Sequence, residues 1–276
     1  MKKILVPTDF SDTSRDALRF AHEVARRKDC CLRVLHVSHP EFDPTNPYAT
    51  VPLYSFLEEK KEKLKAFVDS ANLSNGSSEK IDVETAVIPG FSSEEIVRHA
   101  MDNDVDMIVM GTTGEGGFLN AIVGSVSTTV MEKAERPVML IPGGVRFKGF
   151  KNILYACDYE SIDVDVLRQV IDFAKRFDSI IHFVHVAEDA DRAVEIETAL
   201  FDRLFREEAP TVPFNLVVIE SASVLDGLKQ YVEENKIDLV IFATKHRGLL
   251  GRLFHKSTSK EMVYHLSYPM MVLHYS

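Results

Sequence analysis

Three glycines and a serine in the middle of the chain have the residue types and the spacing for binding phosphate. Gly111 ends the apolar run 107–110, Gly114 follows after two residues, and Gly124 and Ser125 follow after nine more. Glycine lets the backbone approach a ligand, and a helix N-terminus offers free N–H groups and a positive dipole end. The hydroxyls that follow Gly124 could donate further hydrogen bonds to phosphate oxygens. The stretch therefore indicates a phosphate site, and its spacing differs from a Walker A loop and from GxGxxG.

An acidic residue in the same loop limits how phosphate could be held. Glu115 would oppose a triphosphate unless a metal ion intervened, and the loop supplies little basic charge. Phosphate binding would then rest on backbone N–H groups and on Mg²⁺, and the flexible pair Gly116-Gly117 would be ordered at an entropic cost. A strand-to-helix connection with ordinary turn glycines is the alternative that the stretch alone leaves open.

Asp9 is a second candidate, because it follows directly on an apolar strand at the start of the chain. A carboxylate there could hold a ribose hydroxyl, an adenine amine or a hydrated cation. It could equally cap the next helix, and both roles can coexist. The many histidines are scattered, and His36 and His185 lie in predicted strands, where core residues with one hydrogen bond are expected.

Alternating strands and helices must position these residues, and the first half of the chain predicts such an order. We expect strands over 3–8, 32–37, 81–88, 107–110 and 137–141, with helices between them. This order implies a parallel sheet covered on both faces, with ligands at the carboxyl ends of its strands. The ends of strands one, two and four would bring together Pro7, Thr8, Asp9, Val37 and the Gly111 loop.

The helices of this half have sequence signals for their starts and their apolar faces. Ser11 is expected to N-cap the first helix. Its apolar stripe comprises Ala17, Ala21, Val24 and Ala25. A charged helix is expected over about 54–71, after an irregular proline-rich stretch. Ser92 and Glu95 form a capping-box pattern for the next helix. The residues expected in the core of that helix are Ile96, Val97, Ala100 and Met101.

The second half of the chain repeats the first. Residues 1–14 return at 150–163, so that Asp9 corresponds to Asp158 at an offset of 149. Residues 104–114 match 236–246 at an offset of 132, and 136–142 match 268–274. We therefore expect two tandem α/β domains over 1–145 and 146–276, joined near Gly143-Gly144, each with a five-stranded parallel sheet flanked by helices.

Composition and charge exclude several classes of protein. The net charge is −10, which argues against a nucleic-acid surface, since phosphodiester backbones are bound by clustered Lys and Arg. No stretch is long enough to span a membrane, and the apolar run at the start is too short for a signal peptide. The three cysteines are odd in number, lack metal spacing and are interpreted as reduced thiols, so a cytoplasmic protein is expected.

The spacing of Gly111, Gly114, Gly124 and Ser125 resembles the ATP-binding signature of the universal stress protein family. PTDFS near the start, LHV in strand two and RPVMLIP at 136–142 also look like motifs of this family. The resemblance implies Rossmann-like domains of the adenine-nucleotide alpha hydrolase-like type, which bind ATP, with Mg²⁺ as the expected counterion. The family positions around adenosine match Pro7, Thr8, Asp9 and Val37. The family positions around ribose and phosphates match Met110, Gly111, Gly114, Gly124, Ser125, Val126 and Ser127.

The same resemblance implies partners for the chain. Family domains commonly pair through their last strands, so the two halves look like an intrachain pseudo-dimer. A homodimer could form in addition, and a protein partner is expected that the sequence does not identify.

The second half departs from the signature. Gly111 becomes Ala243, Gly114 becomes His246 and Gly124 becomes Lys256, while Ser257 keeps the place of Ser125. Pro7 becomes Ala156. A basic cluster replaces the glycines and comprises Lys245, His246, Arg247, Arg252, His255, Lys256 and Lys260. The cluster could contact the partner domain or solvent, or its side chains could hold a different anion.

Three functions remain open. The first is a regulatory stress-response protein that binds one ATP in its first domain and turns it over little, because no catalytic cluster is evident. The second is a slow ATP-hydrolysing enzyme, for which only Asp9 or Glu115 could serve as the base. The third is an interaction module that binds no nucleotide. No catalytic residue is predicted, and the metal ligands are left open.

Overall fold

The chain folds into two compact units, Met1–Phe147 and Lys148–Ser276. The computed structural model describes residues 1–39, 53–71, 73, 81–112, 124–157, 163–187, 198, 202, 211–245 and 268–275. The expected irregular stretch before the second helix lies mostly outside the described residues. Among the described residues, no helix is both long and apolar enough to cross a membrane.

The first unit alternates strands and helices. Its strands are β1 (Lys3–Pro7), β2 (Cys31–Ser38), β3 (Val83–Pro89), β4 (Met107–Gly111) and β5 (Val138–Ile141). Its helices are α1 (Asp12–Lys28), α2 (Leu53–Ser70), α3 (Ser92–Asp102) and α4 (Ser125–Lys133). The strand order is β3-β2-β1-β4-β5 and all four pairings are parallel. The order reverses at β1, so the site predicted at the ends of β1, β2 and β4 lies where ligands bind in such sheets.

The second unit has the same plan. Its strands are β6 (Asn152–Ala156), β7 (Ile180–Ala187), β8 (Phe214–Glu220), β9 (Leu239–Lys245) and β10 (Met270–Tyr275). Its described helices include α5 (Val164–Phe177) and α6 (Val224–Glu234). The order β8-β7-β6-β9-β10 is again entirely parallel. The expectation of two tandem α/β domains, each with a five-stranded parallel sheet, is confirmed.

The central strands are buried on both faces, as helices on both sides of a parallel sheet require. In β1, Ile4, Leu5 and Val6 are fully buried, and every residue of β5 is buried. The predicted stripe of α1 packs on this sheet, and all four of its members are fully buried. α1 begins after Ser11, whose hydroxyl accepts the Ser14 N–H, so the predicted N-cap is also confirmed.

Two expectations for α3 are wrong. Its N-cap is Phe91 rather than Ser92, and no side chain caps it. The helix therefore starts one residue earlier than expected, directly after Gly90, whose φ of +144° is a conformation open to glycine, and Phe91. Met101 is 45% exposed, because the apolar face of this short helix is narrow and only Ile96 and Ala100 are buried.

One carboxylate fastens the start of the central strand in each unit. Asp106, just before β4, accepts the backbone N–H groups of Lys2 and Lys3 at 2.6 and 2.9 Å. In the second unit, Asp238 accepts those of Lys151 and Asn152 at 2.7 and 2.9 Å. Asp106 and Asp238 correspond at the repeat offset of 132, so the repeat preserves a hydrogen-bonding device as well as a hydrophobic pattern.

Candidate functional site

The first side of the site is the loop that leaves β1. Pro7 and Thr8 are buried, and the Thr8 N–H donates to the Leu35 carbonyl of β2 at 2.8 Å. His36 Nδ1 lies 2.9 Å from the Thr8 carbonyl. Val37, the next residue of β2, is 9% exposed. The predicted adenosine residues Pro7, Thr8 and Val37 are therefore brought together where β1 and β2 end.

His36 has the structural role that its position in a strand predicted. Burial lowers the pKa of His36, and the charges of Lys60 and Lys63 on α2 lower it further. A neutral imidazole donates from one nitrogen only. Because the partner of Nδ1 is a carbonyl, that nitrogen holds the proton, and His36 ties β2 to the loop after β1. His185 repeats this contact with the Cys157 carbonyl at 3.1 Å.

A chain of hydroxyls fixes the same loop to the start of α1. The Thr8 and Ser14 hydroxyl oxygens lie 2.8 Å apart, and the Ser14 hydroxyl donates to the Ser11 carbonyl at 2.9 Å. The Phe10 N–H donates to the Thr8 hydroxyl at 3.0 Å. All three hydroxyl residues are at least nine-tenths buried. The sequence analysis named Thr8 and Ser11 but not Ser14. All three hydroxyl residues are replaced by other residue types in the second half, and this shared difference between the halves could have identified Ser14.

Asp9 is exposed at this edge, and one of its oxygens is held by Ser11. Oδ1 accepts the Ser11 N–H at 3.1 Å and the Ser11 hydroxyl at 2.6 Å. Ser11, and not Asp9, is the N-cap of α1. The carboxylate is thus fixed beside the helix start with its surface open to solvent, which suits contact with a ligand hydroxyl, amine or cation.

Gly111 on β4 serves the packing of α1. A Cβ at Gly111 would lie 2.9 Å from Thr13 Cγ2 and 3.0 Å from the Thr13 backbone. The lack of a side chain therefore lets β4 pass close to the first turn of α1. Thr13 was not among the predicted site residues. Met110, which precedes Gly111, is 5% exposed and belongs to the core.

The N-terminus of α4 forms the other side of the site. Gly124 is its N-cap and, as a glycine, offers no side chain to accept from the first turn of the helix. The Gly124 N–H donates to the Thr112 carbonyl at 2.6 Å. Ser125 is exposed and Val126 is 37% exposed, so this first turn borders solvent. Free N–H groups at such a helix start can bind an anion.

The hydroxyls of α4 do not all point to a ligand role. The Ser127 hydroxyl is buried and donates to the Gly111 carbonyl at 3.0 Å. The Thr129 hydroxyl donates to the Ser125 carbonyl at 2.9 Å. The Ser127 hydroxyl thus links α4 to β4, and because a hydroxyl has one proton to donate, it has none left for a phosphate. Ser125 is therefore the better candidate for a phosphate contact. Gly114 and Glu115 lie outside the described residues.

The second unit lacks the hydroxyl chain of the first. At the offset of 149, Thr8, Ser11 and Ser14 are replaced by Cys157, Glu160 and Asp163. α5 begins at Val164 after the N-cap Asp163, two residues beyond Ile162, the counterpart of Thr13. Ala243 on β9 takes the sequence position of Gly111, and Ile162 takes that of Thr13. Asp158, Lys256 and Ser257 are outside the described residues, as is the basic cluster beyond Lys245.

The described residues offer no metal cluster: no group of three or more His, Cys, Asp or Glu side chains among them could hold an ion. The free cysteines are Cys30, Cys31 and Cys157. The described residues at this edge of the sheet include the exposed carboxylate of Asp9, the exposed Ser125 and the backbone N–H groups at the start of α4.

Comparisons with known proteins agree with this architecture. A sequence model of the universal stress protein family matches residues 1–142 and 149–274. Universal stress protein MJ0531 of Methanocaldococcus jannaschii is 31% identical over 143 residues, which cover 51% of this chain and 81% of that protein.

Comparison with solved structures supports the same fold. A universal stress protein from Archaeoglobus fulgidus matches 99% of this chain and 98% of its own with a TM-score of 0.71 at 19% identity. A universal stress protein solved in complex with cAMP matches 52% of this chain with a TM-score of 0.35 at 22% identity.

Proposed function

Because the chain belongs to the universal stress protein family, we propose that its first domain binds ATP at the carboxyl ends of β1, β2 and β4. Adenosine would lie against Pro7, Thr8, Asp9 and Val37. The phosphates would lie along the first turn of α4, with Gly111, Gly114, Gly124 and Ser125 on their path. Met110, Val126 and Ser127 complete the set that would line the ribose and the phosphates.

The observation that carries the proposal is the first turn of α4, which has a glycine N-cap and follows β4, the neighbour of β1 in the sheet. Gly124 brings no side chain to this turn, and Ser125 and Val126 leave it open to solvent. Gly111 links the two sides, since it touches Thr13 of α1 and accepts a hydrogen bond from Ser127 of α4. Backbone N–H groups, a positive dipole end and a serine hydroxyl form a phosphate-binding set with little side-chain charge. Mg²⁺ would enter with the triphosphate and offset its charge beside Glu115.

The proposed output is regulatory binding with little turnover. Attack on a phosphate needs a base within hydrogen-bond reach of a water. His36 is tied to the Thr8 carbonyl, and Asp9 Oδ1 already accepts two hydrogen bonds from Ser11. Slow hydrolysis with Asp9 or Glu115 as the base is the second candidate. The pairing of the two domains, a homodimer, a protein partner and a cytoplasmic location stay predictions.

Calorimetric titration of nucleotide-stripped protein tests the proposal. We expect ATP with Mg²⁺ to bind, and phosphate release over hours to stay near the buffer background. Rapid release would favour the enzyme, and the absence of heat with ATP would favour the interaction module. cAMP is a useful competitor, because a helix N-terminus that selects a triphosphate should bind it more weakly.

Gly124→Leu gives the matching variant. Gly124 has a φ of −61° and a ψ of 152°, an extended conformation that leucine adopts readily, so the chain should stay folded. The new side chain would occupy the space where phosphate meets the helix start, and binding should be lost. Ser257→Ala, at the corresponding place of the second half, is the control. ATP affinity within about threefold of the unmodified chain, roughly 0.7 kcal/mol, would place the phosphates elsewhere.

A further inference from the structure

Phe10 stands out in the backbone of the first unit. Its φ is +70°, in the left-handed region that a bulky residue rarely enters. The other described residues with positive φ that are not glycine form two repeat pairs: Asp29 with Asp178, and Asp104 with Lys236. Asp29 and Asp178 are the C-caps of α1 and α5, and Asp104 and Lys236 lie between a helix and the next strand, where this conformation ends helices. Phe10 ends no helix and follows Asp9 directly.

The surroundings of the Phe10 ring hold this conformation in place. The ring centroid lies 4.2 Å from that of His36 on β2 and 5.7 Å from that of Phe67 on α2, in an edge-to-face contact. Lys63 Nζ, also on α2, lies 4.4 Å from the ring centroid. Aromatic pairs and a cation over a ring face are both attractive contacts. The loop after β1 is therefore held from three directions through one side chain.

The conformation of Phe10 determines where Asp9 is displayed. The Phe10 N–H donates back to the Thr8 hydroxyl, and the Ser11 N–H donates to Asp9 Oδ1. Asp9 lies between these two contacts, so a change in the φ of Phe10 would rotate the peptide that follows Asp9. A backbone held in a rarely populated region by its surroundings is common at binding sites, where it fixes a functional group.

We propose that Phe10 is a positioning residue for the nucleotide site: its ring, held between His36 and Phe67, keeps Asp9 aimed at the ligand. The inference rests on the proposed function, since Asp9 needs a nucleotide to contact. It also makes α2 part of the site through Phe67, which contacts the Phe10 ring. Tyr159 is the aromatic residue at the corresponding position of the second half.

The test is a double-mutant cycle on ATP affinity in the full chain. Phe10→Ala should weaken ATP binding by about tenfold, and Phe10→Tyr should restore it to within about twofold. In the Asp9→Ala background, Phe10→Ala should add less than about twofold, because the residue it positions is gone. Phe20→Ala is the matched control, since Phe20 is a buried aromatic residue of the same unit that packs on Phe147 instead. It should leave ATP affinity unchanged.

The outcomes distinguish failure of the positioning role of Phe10 from failure of the proposed ATP binding. If the unmodified chain binds no ATP, the proposed function fails first. If it binds ATP and Phe10→Ala stays within about twofold, or if the Phe10 and Asp9 losses simply add, the positioning role is overturned. Phe67→Leu provides a second variant if Phe10→Ala does not fold. It keeps an apolar residue on α2 while removing the aromatic contact, and should weaken ATP binding by about threefold without a change at Asp9.

Discussion

At the scale of the residue, the two glycines on either side of the crevice have different physical reasons for being glycine. Gly111 is required by the protein itself, because Thr13 occupies the space of its missing Cβ. Gly124 has an ordinary extended backbone that other residues also adopt, so under the proposed function it is glycine because phosphate needs the room. Spacing in the sequence could identify both positions, but it could not separate these reasons, because Thr13 meets Gly111 only in the folded sheet.

Gly111→Ala should therefore lower stability rather than report on the ligand. The added methyl group would meet Thr13 at about 3 Å, and the shift of α1 should cost about 1–3 kcal/mol of unfolding free energy. Gly143→Ala is a control beside the same threonine, because its Cβ would have its nearest neighbour, Thr13 Oγ1, at 3.7 Å. Urea unfolding of both variants measures the difference. Similar midpoints for the two would remove the packing role of Gly111. Gly111→Val, with a larger side chain at this position, would mix destabilisation with any loss of binding.

The two equivalent aspartates should differ in their contribution to ATP binding. Asp9→Ala should weaken ATP by about tenfold or more, since a ligand contact to a carboxylate is removed. Asp158→Ala should have an effect below about twofold, because the second half lacks the glycines and the hydroxyl chain. Calorimetry on both variants, with circular dichroism as the check on folding, decides the point. Equal losses of affinity in the two variants would mean that both halves contribute to ATP binding.

At the scale of the element, the hydrogen bonds of Asp106 and Asp238 predict how much each carboxylate stabilises its sheet. Asp106→Ala leaves the Lys2 and Lys3 N–H groups without their acceptor and should cost about 1–2 kcal/mol of unfolding free energy, mainly through the less exposed Lys3. Asp106→Asn keeps an acceptor oxygen and should lose less than half of that. Asp238→Ala should act alike in the second unit. The readout is the denaturant midpoint, and equal losses for the Ala and Asn variants would exclude an acceptor role.

The elements were predictable where a local pattern and the tertiary contacts agree. α1 has both a serine N-cap and a buried stripe, and its start and its core face are as expected. α3 begins at Ser92, one residue earlier than the capping-box pattern predicted, and its N-cap Phe91 makes no side-chain hydrogen bond. The role of Phe10 could not be predicted, since its ring meets Phe67 across more than fifty residues of sequence. Local patterns carry no information on such contacts.

At the scale of the whole molecule, the internal repeat predicts one ATP per chain. Both halves have the same sheet, yet the first alone combines Gly124 with the Thr8, Ser11 and Ser14 hydroxyls, while Glu160 and Asp163 add negative charge to the second. Like charge opposes a phosphate, and Ala243 and Lys256 take the sequence positions of Gly111 and Gly124 in the second half. Equilibrium dialysis of stripped protein should therefore saturate at one nucleotide. A second equivalent site that survives Gly124→Leu would show that the basic residues beyond β9 replace the glycines.

The hydrogen bonds from the start of β1 to Asp106 also bear on the order in which the nascent chain folds. β1 lies between β2 and β4, and the N–H groups of Lys2 and Lys3 at its start bind a carboxylate more than a hundred residues downstream. While the ribosome makes the first domain, its central strand has a neighbour on one side only. Sheet closure must follow the emergence of β4, as non-local parallel pairing requires. At about 5–20 residues per second, the remaining half takes on the order of ten seconds to synthesise. During that interval the first domain can complete its sheet before the second domain has been translated.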